Sequence, residues 1–326
     1  MLKFLALDRF TILIFVMVLL ATFLPVSGQA ADIFGILTII AIAILFFLHG
    51  AKLSREAVIQ GIKHWKLHVL VFTFTFALFP ILGLLAKPVL VPMLRQELYW
   101  GFLFMCCLPS TVQSSIAFTS VAKGNVASAV CSASFSNIIG MFITPILVSL
   151  FIFGQAQNDY DATSSILNIL LLLLVPFILG QILRPYVFPK MQKIPSIVKA
   201  FDQGSILMVV YGAFSSAVVA GLWHEVDGNT LFLLILVCSI LLTIVMLLAH
   251  YVPKWLGFNV PDQKAIFFCA SKKTLASGVP MAQVLFIGQP LGMIVLPIMI
   301  FHQIQLMVCG IIANYWANRT SSEPLE

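Results

Sequence analysis

Two lysines, Lys272 and Lys273, lie inside an apolar stretch that reads KAIFFCASKKTLASGVPMAQVLF from Lys264 to Phe286. Lys273 is nine residues beyond Lys264, which at the rise of a helix is about 14 Å deep in a membrane. A charge at that depth costs at least a few kcal/mol, so it has to face a cavity or a partner. On one continuous helix Lys273 shares a face with Ser277 at i, i+4, and Ser271 shares one with Thr274 at i, i+3. A second polar stretch, WGFLFMCCLPSTVQSSIAFTSVAKGN, starts at Trp100 and places Pro109 nine residues in, again about 14 Å deep. Proline there removes a backbone hydrogen bond. The freed carbonyls, with Ser110, Thr111, Gln113, Ser114 and Ser115, then need partners from protein, water or a ligand. Counted from opposite faces, the two polar zones meet at the midplane. The chemistry available to them is coordination of an ion or a small solute. Two plainer readings compete: a proline kink patched by its own serines, and lysines that snorkel to the surface.

All twelve carboxylates fall in connectors, at run ends or in the tails. An intramembrane Asp/Glu proton relay is therefore absent, and neither lysine has an evident carboxylate partner. A substrate carboxylate, sulfate or phosphate is the natural compensating anion. Ser132, Ser136 and Asn137 either line the same region or act as helix-packing glue, as do Gln303 and Gln305. His302 reads as a packing histidine, and the neighbours Cys106 and Cys107 as inert buried thiols. No intramembrane carboxylate cluster, His/Cys ligand set or Gly-x-Ser-x-Gly motif points to an enzyme.

The elements that position these residues follow from composition. Of 326 residues 61% are hydrophobic and 9% charged, with a mean hydropathy of +1.07; soluble proteins carry about 25% charged residues. This is an integral membrane protein, all-α, without room for a large soluble domain. Apolar runs extend over Arg9 to Leu24, Ile33 to Gly50, Lys66 to Ala86, Leu98 to Val121 and Val126 to Phe153. Five more extend over Ser164 to Leu183, Gln203 to Leu222, Leu231 to His250, Ala265 to Ile287 and Leu291 to Asn314. Ten transmembrane helices are expected. The net charge of +6 is then topology: with a cytoplasmic N-terminus, fourteen lysines and arginines collect on one side against Lys87 and Arg95 on the other. Both termini are expected in the cytoplasm, in the plasma (inner) membrane if the source is bacterial. The first run imitates a signal peptide, with Lys3, Arg9 and Gly28-Gln29-Ala30, but is expected to stay as a span. The six cysteines show no paired spacing.

Five helices is an odd number, so residues 1–155 and 156–326 can form two inverted five-helix repeats, the usual architecture of secondary transporters, with the site at broken helices. The polar fourth run then pairs with the polar ninth.

The stretches FFLHGAKLSREAV, CCLPSTVQSSIAFTSVAKGNVASAV, LLVPFILGQILRP and IFFCASKKTLASGVPMAQVLF resemble the bile acid:sodium symporter family, solute carrier family 10, and most its member-seven-like branch. The resemblance runs over essentially the whole chain. It implies a panel of helices 1, 2, 6 and 7 and a core of helices 3–5 and 8–10, with helices 4 and 9 unwound and crossing. It also implies sodium ligands, and here the chain departs from the family. A Ser-Asn pair on the fourth helix falls on Ser115-Ile116, and a Glu-x-Gly-x-Gln-Asn-x-Gly pattern falls on Ser271 to Gly278 with its Glu, Gln and Asn replaced. The metal ligands are thus unassigned, and one ammonium can stand where a relative holds sodium.

The expected function is secondary active transport of an organic or amphipathic anion by alternating access. The alternative is a non-transporting membrane regulatory or scaffold protein, and a polar cavity reaching the midplane at Ser115 and Lys273 would separate the two. The expected site comprises Pro109, Ser110, Gln113, Ser114, Ser115, Asn137, Ser271, Lys272, Lys273, Thr274 and Ser277. The partners are a small organic anion and the lipid bilayer, not nucleic acid. No cofactor is expected, and the coupling ion is sodium or a proton.

Overall fold

The computed structural model describes residues 9–52, 64–153, 174–221 and 226–319, all helix and connection. The first eight residues, with Lys3, lie outside it. Among the described residues six helices are long and apolar enough to cross a membrane: α2 (Gln29–Lys52), α3 (Trp65–Leu85), α6 (Val126–Phe151), α8 (Pro195–Val219), α9 (Gly228–Trp255) and α12 (Leu291–Asn318, helical to Arg319). Two of the other four runs are interrupted. The fourth run is divided into α4 (Gln96–Cys107) and α5 (Gln113–Val121), and the ninth into α10 (Val260–Ala270) and α11 (Leu275–Leu285). The first run forms the shorter α1 (Arg9–Phe23). The sixth run enters the description only at a helical segment over 174–182, followed by α7 (Arg184–Lys193).

Helices α1 and α2 pack on α8, and α7 on α2. The segment 174–182 meets α2 without side chains between them. A Cβ at Gly50 would lie 2.0 Å from the Phe177 carbonyl oxygen, and one at Gly180 2.0 Å from that of Phe47. Small residues permit such backbone contact between membrane helices. The remaining helices form a second group in which α3 packs on α6 and α10, α4 on α12, and α5 on α6, α10 and α12. Large apolar side chains such as Ile36, Ile40, Ile240 and Leu247 stay exposed on α2 and α9, as expected of faces solvated by lipid.

The outer ends of the two divided helices are tied together. Asn125 caps α6 by accepting from Ser128 N (3.0 Å) and donates through Nδ2 to Asp262 Oδ1 (2.7 Å). Asn259 caps α10 by accepting from Asp262 N (2.9 Å) and donates to Asp262 Oδ2 (2.9 Å). Lys264 Nζ donates to the Ala122 carbonyl at the end of α5 (2.7 Å). Gly124 cannot carry a side chain here, since a Cβ would stand 2.9 Å from Lys264 Cβ. With these ends fixed, the inner ends of α4, α5, α10 and α11 are brought face to face.

Candidate functional site

Proline sets the first break. Leu108, restricted by the ring that follows it, is extended (φ −74°, ψ 155°). Pro109 has no N–H, so the Met105 carbonyl accepts instead from Leu108 N (3.2 Å). Ser110 N turns away to Ser136 Oγ (3.1 Å), leaving the Cys106 carbonyl without its helical donor. Helix α6 satisfies two further carbonyls: Thr144 Oγ1 donates to Cys107 O (2.8 Å), and Asn137 Nδ2 to Ser110 O (2.6 Å). Pro109 itself rests on Gly140, where a Cβ would stand 2.6 Å from the ring.

In the second break Ser271 folds back on Phe267 O through Oγ (2.6 Å). The next two carbonyls are taken from across the crossing, Phe268 O by Ser115 Oγ (3.0 Å) and Cys269 O by Ser110 Oγ (2.6 Å). Thr274 N returns a bond to Pro109 O (3.0 Å). Gln305 of α12 pairs with the Lys273 peptide on both sides, Oε1 accepting from Lys273 N (2.9 Å) and Nε2 donating to Lys273 O (2.8 Å). Each break therefore supplies what the other lacks, as backbone buried away from water requires.

A third irregularity completes the site. Over Phe74–Leu78 helix α3 widens into a π turn, and Phe79 N donates to Phe74 O. The next residue is Pro80, without a donor, so Thr75 O has no helical partner. Lys273 Nζ donates to Thr75 O, Cys106 O and Leu108 O, each at 2.7 Å. All three N–H groups of the ammonium are used, and the Phe79 ring centroid lies 4.2 Å away.

Lys272 has the opposite surroundings. It is also 0% exposed, yet its Nζ has no hydrogen-bond partner. The Phe118 ring lies 4.0 Å from it and that of Phe268 5.4 Å. Such contacts return about 0.5–2 kcal/mol each, whereas desolvating an ammonium costs several. The charged form is not compensated where it stands.

Of the expected site, Pro109, Ser110, Ser115, Asn137, Ser271, Lys273 and Thr274 meet at the crossing. Ser277 Oγ reaches Asn137 Oδ1 (3.3 Å), Ser114 bonds Thr111 (2.8 Å), and Gln113 is exposed at the first turn of α5. Two expectations are corrected. Lys273 and Ser277 do not share a helical face, because the chain is not helical between Ala270 and Leu275. The competing reading of snorkelling lysines does not hold either, both being fully buried. The crossing is not open to a cavity at Ser115 and Lys273: both are 0% exposed, the space being filled by the lysine stem and its carbonyl partners. A cavity of 310 Å³ lies elsewhere, between α2, α8 and the α11–α12 connection, with Thr38, Ser216, Gln283 and Gln289 in its lining. Thr75, Phe79, Phe118, Phe268 and Thr144 are residues of the site that spacing alone did not assign to it, and Gln305 was legible either as lining the crossing or as helix-packing glue. Pro80, inside the third run, was the one available signal for Thr75.

A family model described as the SBF-like CPA transporter family matches residues 8–318. The chain belongs to that family. An uncharacterized protein of Pseudomonas aeruginosa is 53% identical over 96% of this chain and 93% of its own length. The Escherichia coli K12 protein described as "Putative symporter YfeH" is 50% identical over 96% and 94%. A zebrafish (Danio rerio) protein named sodium/bile acid cotransporter 7 is 28% identical over 85% and 82%. The resemblance to the bile acid:sodium symporter family is thus shown, and the chain is a multi-pass membrane protein of a transporter family, which does not favour the regulatory or scaffold alternative.

Proposed function

We propose that the chain is a secondary transporter of a small organic or amphipathic anion, working by alternating access as the α3–α6 and α9–α12 group moves against α1, α2, 174–182 and α8. The observation that carries this reading is the pair of breaks within the fourth and ninth runs that satisfy each other's carbonyls at one point. Broken helices meeting between inverted halves are where secondary transporters bind and gate. On this reading residues 1–155 and 156–326 are inverted repeats of five spans each, with both termini cytoplasmic.

Lys273 then serves as a built-in cation. Three convergent carbonyl oxygens are the ligands a hard monovalent cation takes, and here a tethered ammonium holds them. A sodium ion placed against that ammonium would be repelled. Its saturation supports the role of cation substitute over that of an anchor for the substrate anion, and Thr38, Ser216, Gln283 and Gln289 of the 310 Å³ cavity offer the substrate hydrogen bonds instead. The test is a thermal-shift screen of purified protein with carboxylates, sulfates and phosphates, with and without sodium. A cognate anion at a hundred times its Kd should raise stability by about 2.7 kcal/mol, equally in sodium and in N-methylglucamine. Stabilisation by no anion would sink the transporter reading, and a strict sodium requirement would sink the role given to Lys273.

A further inference from the structure

A transporter whose coupling-cation position is filled by its own lysine still needs a source of energy. The other lysine has what such a source requires. Lys272 Nζ is fully buried with no acceptor for any of its N–H groups. Phe118 from α5 and Phe268 from α10 close over it, and Trp316 of α12 packs on Phe268 with ring centroids 5.5 Å apart. The same helix, α5, carries another unpartnered buried polar atom, Thr119 Oγ1. The titratable groups acting on Lys272 are the thiols of Cys269 on α10 and Cys309 on α12; Lys273 beside it is held in its carbonyl cradle. No carboxylate pairs with Lys272 among the described residues.

We propose that Lys272 is the proton-exchanging group of this transporter. It binds a proton when movement of the core admits water to Nζ, and gives it up to the departing water as Phe118 and Phe268 begin to close, before the amine is sealed. The step is R–NH3+ to R–NH2 plus H+, the proton leaving to water and the nitrogen keeping its electron pair. Closure as seen here leaves the protonated form with three unsatisfied donors, whereas the neutral amine leaves two weaker ones, so conformation and protonation are linked. A proton is also the coupling ion that needs no cavity. The role rests on the chain being a transporter, but proton exchange is measurable without any solute.

Proteoliposomes of the purified protein, adsorbed on a solid-supported membrane and given a pH jump, report the charge displaced by proton binding. Wild-type protein should give a transient that Lys272→Met and Lys272→Gln reduce at least tenfold. Lys272→Arg decides between exchange and structure, because a guanidinium keeps the positive charge over the rings and does not deprotonate. It should purify as a folded, monodisperse protein and still lack the transient. A wild-type-sized transient in Lys272→Arg or Lys272→Met overturns the proposal, as does its absence from wild type. Failure of the transporter reading would show separately, as the absence of any stabilising anion in the thermal-shift screen.

Discussion

Lys272 and Lys273 are adjacent in sequence, identical in type and equally buried, yet one ammonium has three carbonyl ligands and the other has none. What separates them is the supply of acceptors. Lys273 points toward α3 and α4, where a π turn ahead of Pro80 and a break around Pro109 have each stripped carbonyls of their helical donors. Lys272 points between α5 and α10, where its neighbours are aromatic faces. Burial by itself thus says little about a charged side chain; the accounting of nearby backbone groups decides whether it is a fixture of the fold or a group whose charge is free to change.

Removing Lys273 is the most direct way to break this comparison. Lys273→Met leaves three buried carbonyls unsatisfied, and at roughly 1–3 kcal/mol for each such group most of the stability should go, read as loss of monodisperse protein or a collapse of the thermal midpoint in detergent. Gly50→Leu should come next, because the Phe177 backbone cannot give way; overpacking of about 1–3 kcal/mol or more is expected, seen as a lowered midpoint, whereas Gly35→Leu, with open space around it, should leave the midpoint unchanged. Gln305→Leu removes both bonds to the Lys273 peptide and should cost about 2 kcal/mol. A neutral result there would mean that the cradle alone fixes Lys273. Asn125→Ala loses a cap and the contact with Asp262, for about 1 kcal/mol. The smallest effect should come from Lys272→Met: exchanging an uncompensated buried charge for an apolar side chain of similar length should leave stability unchanged or raise it by roughly 1 kcal/mol. If Lys272→Met is as damaging as Lys273→Met, the contrast between the two lysines is wrong.

The two breaks were legible as a missing N–H at Pro109 and a buried charge at Lys273, and as the crossing that the family resemblance implies; proline by itself does not break a helix here, since Pro145, Pro280 and Pro297 lie inside continuous helices. Which side chains would satisfy which carbonyls was not legible. Ser136, Asn137 and Thr144 lie on α6 and Gln305 on α12, and nothing local distinguishes them from the small polar residues that commonly pack membrane helices. The face assigned jointly to Lys273 and Ser277 failed for a related reason, since a spacing rule for helices was carried across a break that the same residues create.

Hydropathy and charge determined by themselves that this chain lives in a membrane, because scarcely any residue could face water and the bilayer demands apolar runs about 20 residues long. Residue chemistry alone also marked where partners would be needed, a missing N–H or an added charge being costly wherever water is absent; that the two runs unwind and cross came from the family resemblance. Only the tertiary structure decided that Lys273 is a saturated ligand and Lys272 an orphan. A side chain with four rotatable bonds takes its acceptors from whatever backbone has been left unpaired nearby, and the carbonyls that settle the matter, Thr75, Cys106 and Leu108, are more than 160 residues away along the chain.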